Sequence, residues 1–170
     1  LPPHNTINFR RITMAKQIYV SKEGYAKLQS ELEYLKTVRR NEISQAIAKA
    51  RSYGDLSENS EYDEAKNEQG EVETRIVNLE DTLAQAIILD DSEVKTDKVS
   101  VGSIVKIYDI ERDQEFEYKI VGSTESDPFA KKISDDSPLG KALLGFRKGD
   151  TVTVEVPKGM IRCTIISISK

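Results

Sequence analysis

The sequence predicts an α+β protein of two domains: an N-terminal antiparallel coiled-coil hairpin, followed by a small domain built on an antiparallel sheet. Three observations carry this expectation. Apolar residues recur at helical spacing along two long stretches before Asp90. A short segment of glycine, serine and acidic residues, Ser52 to Tyr62, separates those stretches. Beyond Lys98 the pattern changes to alternating β-branched runs bounded by turn residues.

In the first stretch Tyr25, Leu28, Leu32, Leu35 and Val38 follow one another at three- and four-residue steps, which places them on one helix face. The stripe then slips by a residue and resumes at Ile43, Ile47 and Ala50. Ser21 reads as the N-cap, and Gly54 as the left-handed residue that follows the C-terminus. In the second stretch Tyr62, Ala65, Val72, Ile76, Leu79, Leu83 and Ala86 fit an a/d heptad, with Gln69 as the polar exception. No proline lies between Met14 and Asp127, so nothing there forces a break. Each helix of roughly 30 residues would be about 45 Å long. Two such helices joined by a tight turn pack antiparallel, and the hairpin is assigned to residues 14–89.

Residues 90–98 are polar and short-period, as in a linker. Strands are then expected at Val101–Ile107, Glu115–Val121, Thr151–Val156 and Met160–Ile168. Pro157-Lys158-Gly159 turns the last two into a hairpin. Between the second and third strands, Pro138 to Leu144 reads as a short helix, capped by Ser137 and ended by Gly145. Residues 99–170 form the second domain. Cys163 alternates with Ile161 and Ile165 and is read as a core residue.

Composition narrows the function. The net charge of −4 and pI near 5.2 argue against a general duplex-DNA binder, and no sequence-specific DNA partner is expected. Cys163 is the one cysteine and His4 the one histidine, which removes cysteine zinc sites and histidine-based triads. No apolar run is long enough to span a bilayer, and a cytoplasmic location with no membrane partner is expected. Residues 1–13, Leu1 to Thr13, are read as a vector-derived or flexible extension ahead of a native start at Met14.

The turn between the helices carries two carboxylates three residues apart, Asp55 and Glu58. Two readings stand. The pair resembles a capping box, with aspartate replacing serine or threonine, and then needs no chemistry. Alternatively, two hard oxygen ligands whose Cβ atoms lie about 5–6 Å apart contribute to an Mg²⁺ site without filling its octahedral shell. Nearby, Arg40 and Arg51 stand eleven positions apart on one helix flank, close to Lys36. Taken singly, each is a solvated charge paired across the hairpin.

Gly54-Asp55-Leu56-Ser57-Glu58-Asn59-Ser60-Glu61-Tyr62, followed by Ala65-Lys66 and Gln69-Gly70, closely resembles the tip motif of the bacterial Gre transcript cleavage factors. Leu35-Lys36, Val38-Arg39-Arg40 and Glu42-Ile43 match that family's preceding helix, and Ser137 to Gly145 resembles the signature of its C-terminal domain. The resemblance covers the chain from Met14 onward. The acidic pI matches the less basic branch of the family.

The resemblance implies the following. The C-terminal domain is FKBP-like and docks on the rim of the secondary channel of bacterial RNA polymerase. The coiled coil enters the channel of a backtracked enzyme. Asp55 and Glu58 are the catalytic pair; they share an Mg²⁺ with the polymerase and stimulate its own cleavage of the nascent RNA 3′ end, so the chain is not itself an enzyme. No metal is held stably by the tip alone. Asn59 and Tyr62 position the tip, and Arg40, Arg51 and Lys66 form a basic patch that contacts extruded RNA. Ser60 stands where relatives often carry alanine, and Asp63 where histidine is common. Neither departure removes a carboxylate.

Three other classes fit less well. A channel binder that does not stimulate cleavage would not need the intact Asp55 and Glu58 pair. A prolyl isomerase needs an aromatic-lined pocket, yet the chain has no tryptophan and four phenylalanines. A holdase would expose apolar residues where Asp55, Ser57, Glu58 and Asn59 are polar.

Overall fold

The computed structural model describes residues 16–55 and 59–170. The expectations for residues 1–13, including His4, and for Met14 lie outside the described residues.

The first long helix is continuous but not uniform. Helix α1 (Lys22–Tyr34) passes through a π turn at Leu35–Arg39 into helix α2 (Arg40–Ser52). The turn explains the slip in the apolar stripe. Leu35 and Ile43 are eight positions apart, one more than a heptad, and the wider turn absorbs the extra residue. The Arg40 N–H accordingly donates to the Leu35 carbonyl, five residues back. Val38, expected on the stripe, is 43% exposed because the π turn rotates it outward. Ser21 caps α1 as expected, its side chain accepting from the Gly24 N–H.

Helix α3 (Ser60–Gln85) returns antiparallel to α2. Ile43 and Ile47 pack with Ala65, Val72 and Ile76, and Leu32, Leu35 and Tyr62 join them from the margins. Among the described residues, four cation–carboxylate links cross the seam: Arg75 to Glu31, Lys36 to Glu80, Arg39 to Glu68 and Arg40 to Glu73. The second helix is shorter than expected. Ala86–Leu89 leaves it as strand β2, which pairs in parallel with β1 (Ile18–Ser21), Ile18 opposite Ala86 and Ser21 opposite Leu89. The β-branched pair Ile87-Ile88 favours extended backbone once a partner strand is supplied from before α1. Ala86 therefore closes the hairpin base rather than extending the heptad.

The C-terminal part is a five-stranded sheet in the order β5-β4-β3-β7-β6. Its strands are β3 (Ile104–Asp109), β4 (Gln114–Val121), β5 (Lys132–Ser134), β6 (Thr151–Val156) and β7 (Gly159–Ser169). Three of the four pairings are antiparallel, as expected. The sheet is nevertheless mixed, because the edge strand β5 runs parallel to β4. Three residues are too few to show alternation, so this strand leaves no periodic trace in the sequence. Helix α4 (Pro138–Leu143), capped by Ser137 through the Gly140 N–H, lays Leu143 on a core of Val99, Val105, Ile107, Ile120, Val152, Val154, Cys163 and Ile165. Cys163 is 1% exposed, and burial pushes its thiol up to about 11. Within the stretch read as linker, Asp90 caps a 3₁₀ turn at Asp91–Glu93, and Val94 is buried.

The π turn gives a direct test. Deleting Thr37 should convert it to α-helix while keeping Ile43, Ile47 and Ala50 in phase, and circular dichroism melts should move by about 5 °C or less. Deleting Gln45, in regular helix, rotates the residues beyond it by about 100°. That variant should lose roughly 10 °C or more. Equal losses in the two deletions would contradict this account of the slip.

Candidate functional site

The tip is built from the ends of two helices. Helix α2 stops when Gly54 takes φ +99°, a left-handed conformation that a side chain would strain. The Tyr53 N–H reaches the Ala50 carbonyl at 3.2 Å, and the Gly54 N–H reaches the Arg51 carbonyl at 3.3 Å. Asp55 follows and is exposed. Glu58, with Leu56 and Ser57, lies outside the described residues.

Asn59, not Asp55, caps α3. Its Oδ1 accepts from the Tyr62 N–H at 3.2 Å, while its Nδ2 donates to the Ala50 carbonyl at 2.8 Å. One side-chain amide thus satisfies a donor at the start of α3 and an acceptor at the end of α2. Helix α3 starts at Ser60, so Asp55 lies four positions before its N-cap; the capping-box reading of the pair includes Glu58 and lies outside the described residues. Asparagine suits this position because its amide accepts through oxygen and donates through nitrogen at once, whereas an ionised carboxylate only accepts. Glu61 and Asp63 fill the first turn of α3, where the helix dipole favours negative charge.

The basic residues divide into two sets. Arg40 is engaged across the hairpin, its Nε and an Nη each 2.7 Å from the carboxylate oxygens of Glu73. That bidentate bond raises the Arg40 pKa and lowers that of Glu73. Arg40 also lies about 16 Å down the helix from Arg51. Arg51 places its guanidinium 5.9 Å from the centre of the Tyr62 ring, which packs on the margin of the hairpin core. Lys66 donates to Gln69 at 2.8 Å, on its own helix. The sequence reading passed over Lys49, which shares the last turn of α2 with Arg51. Its signal was available: two cations in the final turn of a helix that ends at an acidic loop.

Among the described residues no group of three or more His, Cys, Asp or Glu could hold a metal ion. Among them, too, no helix is long and apolar enough to cross a membrane. Asp55 brings one hard oxygen-bearing carboxylate to the solvent-facing end of the rod, a donor of the type Mg²⁺ takes.

A long two-helix rod with a polar, charged tip, set on a small sheet domain, defines a class of reaching proteins. The N-terminal profile of the transcription elongation factors GreA and GreB matches residues 18–88, and their C-terminal profile matches residues 94–170. The chain belongs to this family of transcription elongation factors. It is 55% identical over 157 residues to transcription elongation factor GreA of Thermoanaerobacter pseudethanolicus, covering 92% of this chain and 100% of that one. Against GreA of Clostridium beijerinckii it is 54% identical over 159 residues, 94% of this chain and 99% of that one. Among solved structures, GreA factor homolog 1 of Thermus thermophilus is 30% identical, with 91% of this chain and 100% of that chain covered and a TM-score of 0.43.

The double role of Asn59 is separable. Asn59→Ala should lower stability by about 1–2 kcal/mol in urea denaturation, through loss of the cap and of the donor to Ala50. Asn59→Asp keeps the cap but not the donor and should lose less. If both variants match the unaltered protein, the amide does not tie the helix ends.

Proposed function

We propose that this chain is a transcript cleavage factor of bacterial RNA polymerase. Its hairpin enters the secondary channel of a backtracked enzyme, and its tip acts at the polymerase active site on the nascent RNA 3′ end. The observation that supports this most is the exposed carboxylate of Asp55 at the end of a rod whose two helices are tied together by Asn59.

Asp55 and Glu58 would share an Mg²⁺ held mainly by the polymerase. Bound there, the metal supplies an activated water and neutralises charge on the scissile phosphate. The chain is then not an enzyme by itself: it delivers part of a ligand shell and orients it. Asn59 and Tyr62 keep the tip in place, Asn59 through Ala50 and Tyr62 through the hairpin margin and Arg51. Arg51 and Lys66 would contact phosphates of the extruded RNA, adding affinity without sequence preference. Arg40 was expected to join them; as a partner of Glu73 it would first have to give up that pair. The C-terminal domain docks on the channel rim, and the protein acts in the cytoplasm, where its polymerase is.

The test is a stalled bacterial elongation complex with end-labelled RNA. The chain should release short 3′ fragments. Asp55→Asn and Glu58→Gln remove negative charge yet keep hydrogen-bonding capacity, so each should still compete with the unaltered protein for polymerase. Each should lose most of its stimulation, about 100-fold or more, with partial recovery at raised Mg²⁺. Near-normal cleavage by both variants would refute the assignment.

The basic pair is tested separately. Neutralising Arg51 and Lys66 together should weaken crosslinking to extruded RNA and slow cleavage, most visibly at high salt. An unchanged crosslink would return both residues to the solvated face.

A further inference from the structure

The base of the hairpin meets the C-terminal domain through a compact set of polar contacts. Glu125 ends a 3₁₀ turn, Ser123–Glu125, that follows β4. One of its carboxylate oxygens accepts from the Ser21 N–H at 2.8 Å, and the other accepts from the Ser21 hydroxyl. The Ser21 Oγ in turn accepts from the Gly24 N–H at 2.9 Å. A carboxylate from one domain thus sits on the N-terminus of α1, where unpaired N–H groups and the helix dipole favour an anion.

Two glycines give this joint its closeness. A Cβ on Gly24 would lie 2.5 Å from Glu125 Oε1, so any larger residue displaces the carboxylate. A Cβ on Gly122, just before the 3₁₀ turn, would lie 1.7 Å from the Tyr19 carbonyl oxygen of β1. Lys16 pairs with Asp136 across the same boundary. Beside the clasp a cleft of about 610 Å³ remains open, lined by Lys27, Lys119, Val121, Glu125 and Lys132 among others.

Geometry makes this contact consequential. The chain crosses between the domains once, after β2, and a single covalent crossing leaves a pivot. Glu125 supplies a second fixed point on α1. With an arm of about 45 Å, a tilt of about 10° at the base moves the tip by about 8 Å. That exceeds the tolerance for placing a ligand in a reacting centre. We propose that Glu125 is a positioning residue: by clasping Ser21 at the Gly24 turn, it fixes the direction in which the hairpin carries its tip. The inference rests on the cleavage-factor reading for its functional consequence, but the clasp itself is measurable in the free protein.

Cysteines placed at exposed Val77 on α3 and exposed Met160 on β7 accept spin labels, while Cys163 stays buried and protonated. Pulsed dipolar spectroscopy should give one narrow distance distribution. Glu125→Ala and Gly24→Ala should each broaden it; Glu125→Gln should be intermediate, since its amide oxygen still accepts from Ser21. In the cleavage assay, loosening the arm lowers the local concentration of the tip. The half-saturating concentration of the Glu125→Ala protein should therefore rise about tenfold with its maximal rate retained. Asp55→Asn should do the reverse, lowering the maximal rate at unchanged half-saturation. Unchanged distances in both Glu125→Ala and Gly24→Ala overturn the clasp. Broadened distances with an unchanged dose curve overturn its positioning role. A chain that stimulates no cleavage defeats the cleavage-factor reading, and the distances then still decide the clasp.

Discussion

Register along the seam between α1–α2 and α3 is the constraint on which the remaining structure depends. Ile43 and Ile47 meet Ala65, Val72 and Ile76 only if the two helices stay in phase from base to tip. The first helix carries one residue too many for a heptad, and the π turn at Leu35–Arg39 absorbs it locally. Without that turn, everything beyond it would face about 100° away from its partners. The ion pairs on the flanks follow from this register and do not create it. Those to Glu31, Glu73 and Glu80 are exposed, and such pairs individually add little to stability. Their geometry is nevertheless directional, because the Arg40 fork fits Glu73 at one axial offset.

The same register decides what the charged residues are available for. Arg40, read from sequence as part of a functional patch, and Lys36, read as lying near it, are drawn into pairs with Glu73 and Glu80. Arg51 lies beyond the last of these crossing carboxylates and rests on Tyr62 instead. The boundary between structural and available cations therefore falls between Arg40 and Lys49. On the proposed reading, a phosphate contact by Arg51 would leave the pairs to Glu73 and Glu80 intact.

Much of this was legible in sequence because it rests on local rules. The caps at Ser21 and Ser137, the left-handed Gly54 and the strands β6 and β7 each carry their own chemistry in adjacent residues. What escaped depended on distant partners. Ala86–Leu89 becomes a strand because Ile18–Ser21 lies alongside it, sixty-eight residues earlier in the chain. Strand β5 exists by pairing with β4 and has only three residues. The cap of α3 was not identified in sequence for a different reason. Asp55 and Glu58 satisfy the capping-box pattern, but Asn59 also caps, and only the position of the Ala50 carbonyl decides between them. The slip in the apolar stripe was visible as a spacing, whereas its resolution into a π turn required the backbone.

Small residues near the tip govern how the ends of α2 and α3 meet. Ala50 is 1% exposed and Ala65 is 6% exposed, so small residues fill the seam near its end, with Tyr62 on its margin. Alanine lets helix axes approach toward the low end of the usual range of about 8–10 Å, whereas leucine or isoleucine would hold them apart. Close approach is what allows one asparagine side chain to reach both the Ala50 carbonyl and the Tyr62 N–H. A wider seam would leave Asn59 able to cap α3 but not to hold α2. The order of the apolar seam is thus transmitted to the ends of α2 and α3 through a pair of hydrogen bonds.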